Sequence, residues 1–147
     1  IGDEGAIAIS AALESNTTLT ELNWCCKGYG IMIGDVGAHA ISKMLAVNRA
    51  LNWINLLNND LGGGAASIVA AAKQHGKIKT LCGIEEGKTE VDFRGWGLKA
   101  PDAVLLSFDL EFNRALTSVK LEDNFIPEEG KQQLRDAVGN RSITLRL

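Results

Sequence analysis

Hydrophobic and polar positions along this chain fall into one recurring phrase. Residues 51–61 read Leu-Asn-Trp-Ile-Asn-Leu-Leu-Asn-Asn-Asp-Leu, with apolar side chains at Leu51, Ile54, Leu56 and Leu61 and an asparagine at Asn59. The phrase returns at Leu116, Val119, Leu121, Asn124 and Ile126. Ile54 and Leu56 are two apart, so on a short strand they face one way, into a core, while Trp53, Asn55 and Leu57 face the other. Asn59 falls where the chain must turn off the strand. A buried asparagine there can cap backbone groups that the turn leaves unpaired. Leu61 then points back inside. One such unit cannot bury its apolar side alone and needs a neighbour on each side.

Ile1, Ile33, Leu61, Leu98 and Ile126 occupy equivalent places, at spacings of 32, 28, 37 and 28 residues. The basic period is therefore 28, with irregular insertions near 25–32 and 83–88. A helical stretch follows each of these positions. Ile1, Ile9 and Leu13 recur as Ile33, Ile41 and Leu45, and as Leu98, Leu106 and Leu110. Those offsets lie near whole helical turns and mark one buried stripe. Asp3, Glu4, Asp35, Asp102, Glu128 and Glu129 fall at the expected helix starts, where negative charge suits the dipole. Pro101 and Pro127 suit helix entry. Each helix ends on a polar residue three before the next strand: Asn16, Asn48, His75, Asn113 and Asn140.

Strand, turn, helix, turn predicts an α/β chain with a parallel sheet covered by helices on one side. Strands spaced more tightly than helices curve such a stack. The expected architecture is a solenoid with parallel strands on the concave side and helices on the convex side. At 147 residues it forms a single domain, 1–147, of about five units. The chain opens inside a unit, which points to a longer parent chain.

Register also predicts which side chains line the concave wall. The candidates for contact with a partner are Glu21, Asn23, Trp53, Asn55, Leu57, Asp92, Arg94, Lys120 and Glu122. Most are polar, as on any solvated sheet. Trp53 and Leu57 differ, and a large apolar side chain where solvent is expected suits a partner anchor. Equally, Trp53 can lie flat on its neighbours and cover the sheet.

Charge and composition narrow the choice. A net charge of −3 and an apolar share of 46% are those of a globular chain. The weak acidic balance argues against nucleic acid as the main partner. No apolar run approaches about 18 residues, so no transmembrane segment is expected. Cys25, Cys26 and Cys82 make an odd count, and this favours a reducing, cytoplasmic compartment. The sequons at Asn16 and Asn140 fall where asparagine recurs for structural reasons.

Catalytic patterns are not found. Gly83-Ile-Glu-Glu-Gly-Lys-Thr89 has three residues between its glycines where a phosphate loop needs four, and strand-like Val91-Asp-Phe93 follows it. Gly28-Tyr-Gly30 lacks the third glycine of a dinucleotide site. His39 and His75 have no cysteine or carboxylate at metal-ligand spacing. Ser10, Ser42 and Ser107 lie in helices without triad partners. No cofactor, metal site or enzymatic activity is therefore expected.

The chain resembles ribonuclease-inhibitor-type leucine-rich repeats. The resemblance is carried by Leu19, Leu22 and Trp24 with Ile33-Gly-Asp-Val-Gly-Ala38, by Leu51 to Leu61, by Leu116 to Gly130, and by the opening Ile1-Gly-Asp-Glu-Gly-Ala. It covers nearly the whole chain, more loosely from Gly76 to Trp96, and Lys27 and Trp96 stand where the pattern has asparagine. What it implies is a non-catalytic protein-interaction or scaffold module, a structural subunit of a larger assembly. The alternatives it carries are a regulator such as a GTPase activator and the sensing region of an intracellular immune-type receptor.

Overall fold

Among the described residues five helices alternate with five three-residue strands. The order is α1 (Asp3–Leu13), β1 (Glu21–Asn23), α2 (Asp35–Val47), β2 (Trp53–Asn55), α3 (Gly64–His75), β3 (Glu90–Asp92), α4 (Ala100–Phe112), β4 (Ser118–Lys120), α5 (Glu128–Val138) and β5 (Thr144–Arg146). The computed structural model describes residues 1–28 and 30–147, so Tyr29, within the expected insertion at 25–32, lies outside the described residues. The fold is mixed α/β. The paired strands among the described residues run parallel: β1 with β2, β3 with β4, and β4 with β5.

The middle residue of each strand points into the core. Leu22, Ile54 and Val119 are buried there, in one cluster with Ile41, Leu45, Ile68 and Leu106 from the helices. Their strand neighbours Glu21, Trp53 and Lys120 sit on the other face, exposed or half-buried. Such alternation is what a sheet covered on one side requires.

Asparagines tie consecutive units. Asn59 Oδ1 accepts from the Ile33 amide at 2.9 Å, and its Nδ2 donates to the carbonyls of Trp24 (2.8 Å) and Leu56 (3.0 Å). Asn124 repeats this with Leu98, Phe93 and Leu121. The residue before each turns left-handed, at φ 61° for Asn58 and 60° for Asp123. Gly95, φ 65°, holds the same place before Trp96. A second set of asparagines starts the strands: Asn16, Asn48 and Asn113 accept amide hydrogens from Leu19, Leu51 and Leu116. These bonds satisfy backbone groups that the turns would otherwise strand.

Carboxylates at helix starts reach forward in the same way. Asp3 Oδ1 accepts from the amides of Gly34 and Gly37, and Asp35 Oδ1 from that of Gly64. The helices approach closely there, since a Cβ at Gly64 would stand 2.4 Å from the Ala38 Cβ.

Two expectations of burial fail. Ile1 and Ile9 are 43% and 38% exposed, whereas Ile33 and Ile41 at the equivalent places are fully buried. The later pair is covered by α1 and its neighbours; nothing in the described residues packs on the outer side of α1. Leu57, expected on the open face of the sheet, is fully buried. β2 ends at Asn55, so strand alternation stops before it, and the Asn55 side chain accepts the Leu57 amide as the chain bends inward.

The sheet divides within the longest unit. Residues 80–82 run alongside β2, where Ile54 N donates to Thr80 O and Leu56 N to Leu81 O. The chain then loops through 83–89 and returns as β3, which among the described residues pairs only with β4. The unit thus passes twice at the level of the sheet while supplying one helix. No helix among the described residues is long and apolar enough to cross a membrane.

Candidate functional site

The open face of the sheet collects most of the expected contact residues into two patches. Glu21 pairs with Trp53 and Asn23 with Asn55 across β1 and β2. Asp92 pairs with Lys120 across β3 and β4, with Arg94 and Glu122 just beyond. Residues 80–89 separate the patches. Leu57 belongs to neither, for the reason given above.

Several of these side chains already have local work. Asn23, Asn55 and Asp92 each accept the amide two residues on, at 3.1–3.2 Å, and so end their strands in Asx turns. Arg94 forks onto Asp92, with Nε and Nη2 at 2.9 and 2.6 Å. This holds the Asp92 carboxyl down at about 2. Lys120 is ion-paired with Glu90. Such exposed pairs contribute little to stability. They do fix the direction of each charge on the face.

Trp53 is half-buried and opens onto a groove of about 1240 Å³. The loop through Glu85–Gly87 and Ile84 forms one wall with Glu21 and Trp53; the ends of α2, α3 and α4 form the other. Ile84 is buried, and Phe112 is 45% exposed at the α4 end. On the loop wall Lys79 bonds Glu86 at 2.7 Å. Arg49, Lys77 and Arg114 come from the helix-end wall. None of these three was expected from the sheet register. For Arg49 and Arg114 the signal was a second recurrence: a cation follows the helix-ending asparagine at Asn48-Arg49, Asn113-Arg114 and Asn140-Arg141.

A smaller cavity, about 150 Å³, sits across the molecule among Cys26, Asn58, Trp96, Lys99 and Asp102. Lys27 lies 3.0 Å above the Trp96 ring centroid, and Trp96 packs edge-on against Phe93. Trp96 therefore fills with stacking the place where asparagine stands in other units. Burial raises the Asp102 carboxyl above its usual range, although the Lys99 and Asn58 amides donate to it. Burial also raises the Cys25 and Cys82 thiols, so neither is a ready nucleophile. Among the described residues no group of three or more His, Cys, Asp or Glu side chains is placed to hold a metal ion. The glycine-flanked segment 83–89 leads into β3, not into a helix.

Together these features define a mixed α/β chain whose open sheet face and adjoining groove are its accessible features. No protein-family model matches the chain. No curated protein matches it either.

Proposed function

We propose that the chain is a ribonuclease-inhibitor-type leucine-rich repeat module, a curved solenoid with strands on the concave and helices on the convex side. In this reading it works as a non-catalytic protein-binding or scaffold part of a larger assembly. The fold half of the reading is supported by the asparagine bridges at Asn59 and Asn124, which join unit to unit in the same way. The functional half rests on one observation above all: the half-buried Trp53 beside a wide groove, on a face otherwise polar. An aromatic ring in that setting is the usual anchor of an interface, flanked by polar contacts that set specificity.

The test places a photo-crosslinking amino acid at Asn52, beside Trp53, and in a second variant at Gln132 on the outer face of α5. A partner should crosslink from Asn52 and not from Gln132. Trp53→Ala should weaken capture by about 2 kcal/mol or more without moving the denaturation midpoint. Equal crosslinking from both positions, or full affinity in Trp53→Ala, removes the proposal.

A further inference from the structure

We infer that the groove beside Trp53 takes an extended acidic segment of a partner protein, with an apolar side chain seated against Trp53 and Ile84 and a carboxylate held by Arg114. The inference rests on the protein-binding reading above and names the partner's chemistry.

Charge on the two walls carries it. Every charged residue on the helix-end wall is a cation: Arg49, Lys77 and Arg114. Cations at helix C-termini often serve only to cap carbonyls. Arg49 does so, donating to the Leu45, Ala46 and Asn48 carbonyls. Arg141 does so as well, its Nη1 donating to Asn113 O at 2.7 Å. Arg114 and the Lys77 ammonium differ. Among the described residues neither has a carboxylate within ion-pair distance, and neither caps a carbonyl. Both are exposed to the groove.

Arg114 is also in a repulsive setting. Its charge adds to desolvation in lowering the Arg141 guanidinium below its ordinary value. Arg141 Nη2 is enclosed and has no hydrogen-bond partner. An anion beside Arg114 offsets that repulsion, and a carboxylate matches the guanidinium fork. On the facing wall Glu86 is already held by Lys79. That leaves Glu21 and Glu85 at the strand and loop side, where they repel an acidic segment toward the helix ends. Trp53, Ile84 and Phe112 supply apolar lining that a polypeptide uses and a free anion does not.

The test uses the full chain with two probes: a short capped peptide of alternating leucine and glutamate, and its counterpart with lysine in place of glutamate. Binding is measured by calorimetry and mapped by amide chemical shifts. The glutamate peptide should bind more tightly, shifting Ile84, Lys77 and Ala115. Arg114→Glu with Lys77→Glu should weaken it about tenfold or more and reverse the preference toward the lysine peptide. The folded state of the double variant is checked by its denaturation midpoint, which should hold or rise as the Arg114–Arg141 repulsion is removed. Should the double variant unfold, Arg114→Gln alone is used and should weaken the glutamate peptide while leaving the lysine one no weaker. Equal affinity for the two peptides, or unchanged binding in the variants, overturns the inference. So do shifts confined to Asn23, Asn55 and Lys120, but those leave binding through the sheet face standing.

Discussion

Asp109→Ala should destabilise the chain strongly at acid pH and little at alkaline pH. Asp109 lies fully buried on α4 and reaches residues 80–82. Its Oδ1 accepts from the Leu81 amide at 2.8 Å, and its Oδ2 from the Thr80 hydroxyl. Thr80 Oγ1 in turn accepts from the Cys82 and Ile84 amides, so its own proton must go to Asp109. Removing the carboxyl leaves two buried donors unpaired, at about 1–3 kcal/mol each, or about 4 kcal/mol together. Burial, opposed by these bonds, pushes the Asp109 carboxyl up to about 7 from an ordinary 3.8. Between those values the folded chain holds a proton that the unfolded chain has released. Stability therefore falls as pH rises through that window, and levels off above about 7. From about pH 5 to about pH 8 this amounts to about 3 kcal/mol at about 1.4 kcal/mol per pH unit. His75, whose imidazole is lowered by burial and by Arg49, acts in the opposite sense below its ordinary value, and it does so equally in parent and variant. Urea denaturation of both chains at the two pH values isolates Asp109. The loss should be about 4 kcal/mol at the lower pH and about 1 kcal/mol at the higher. A loss that is the same at both, or larger at the higher pH, refutes the reasoning.

Two further substitutions probe the joints between units. Asn59→Leu removes three hydrogen bonds, two of them buried, and should lower stability by about 2–4 kcal/mol, read from the urea midpoint; a midpoint equal to the parent's would show that the asparagine does not bridge. Gly64→Ala puts a Cβ 2.4 Å from that of Ala38 and 3.3 Å from the Asp35 carbonyl, so α2 and α3 must part. The cost should be about 1–3 kcal/mol by thermal unfolding, and a raised midpoint would mean that the helices are not packed that closely.

The core was legible because the period repeats in sequence. Ile54, Leu56, Val119 and Leu121 point inward as their spacing requires, and Asn59 caps the turn it was expected to cap. Leu57 was misjudged because a two-residue alternation holds only while the strand lasts, and each strand here is three residues long. Ile1 and Ile9 carry the same apolar code as Ile33 and Ile41, but burial depends on a neighbour that the local pattern does not reveal. The groove was missed for a related reason. Its walls come from the ends of three helices and one irregular loop, and no single stretch of sequence contains it. Only the recurring asparagine–arginine pair hinted at a row of cations.

The division of the sheet explains why a groove stands there at all. One unit contributes two passes at the sheet and a single helix. No backbone hydrogen bond joins residues 80–82 to β3 among the described residues. The halves are instead linked through α4, by two carboxyls seven residues apart and therefore on one helix face. Asp102 takes the Asn58 amide just past β2, and Asp109 takes the Thr80 hydroxyl and the Leu81 amide. Both are buried, and burial raises both carboxyls. That is an expensive way to hold two layers, since a fully paired ladder would do so without buried ionisable groups. What the arrangement gains is space: the loop at 83–88 stands off from the helix ends, and the row at Arg49, Lys77 and Arg114 faces it across open solvent. The buried carboxyls of α4 and the open cation Arg114 beside its C-terminus thus belong to the same junction in the chain.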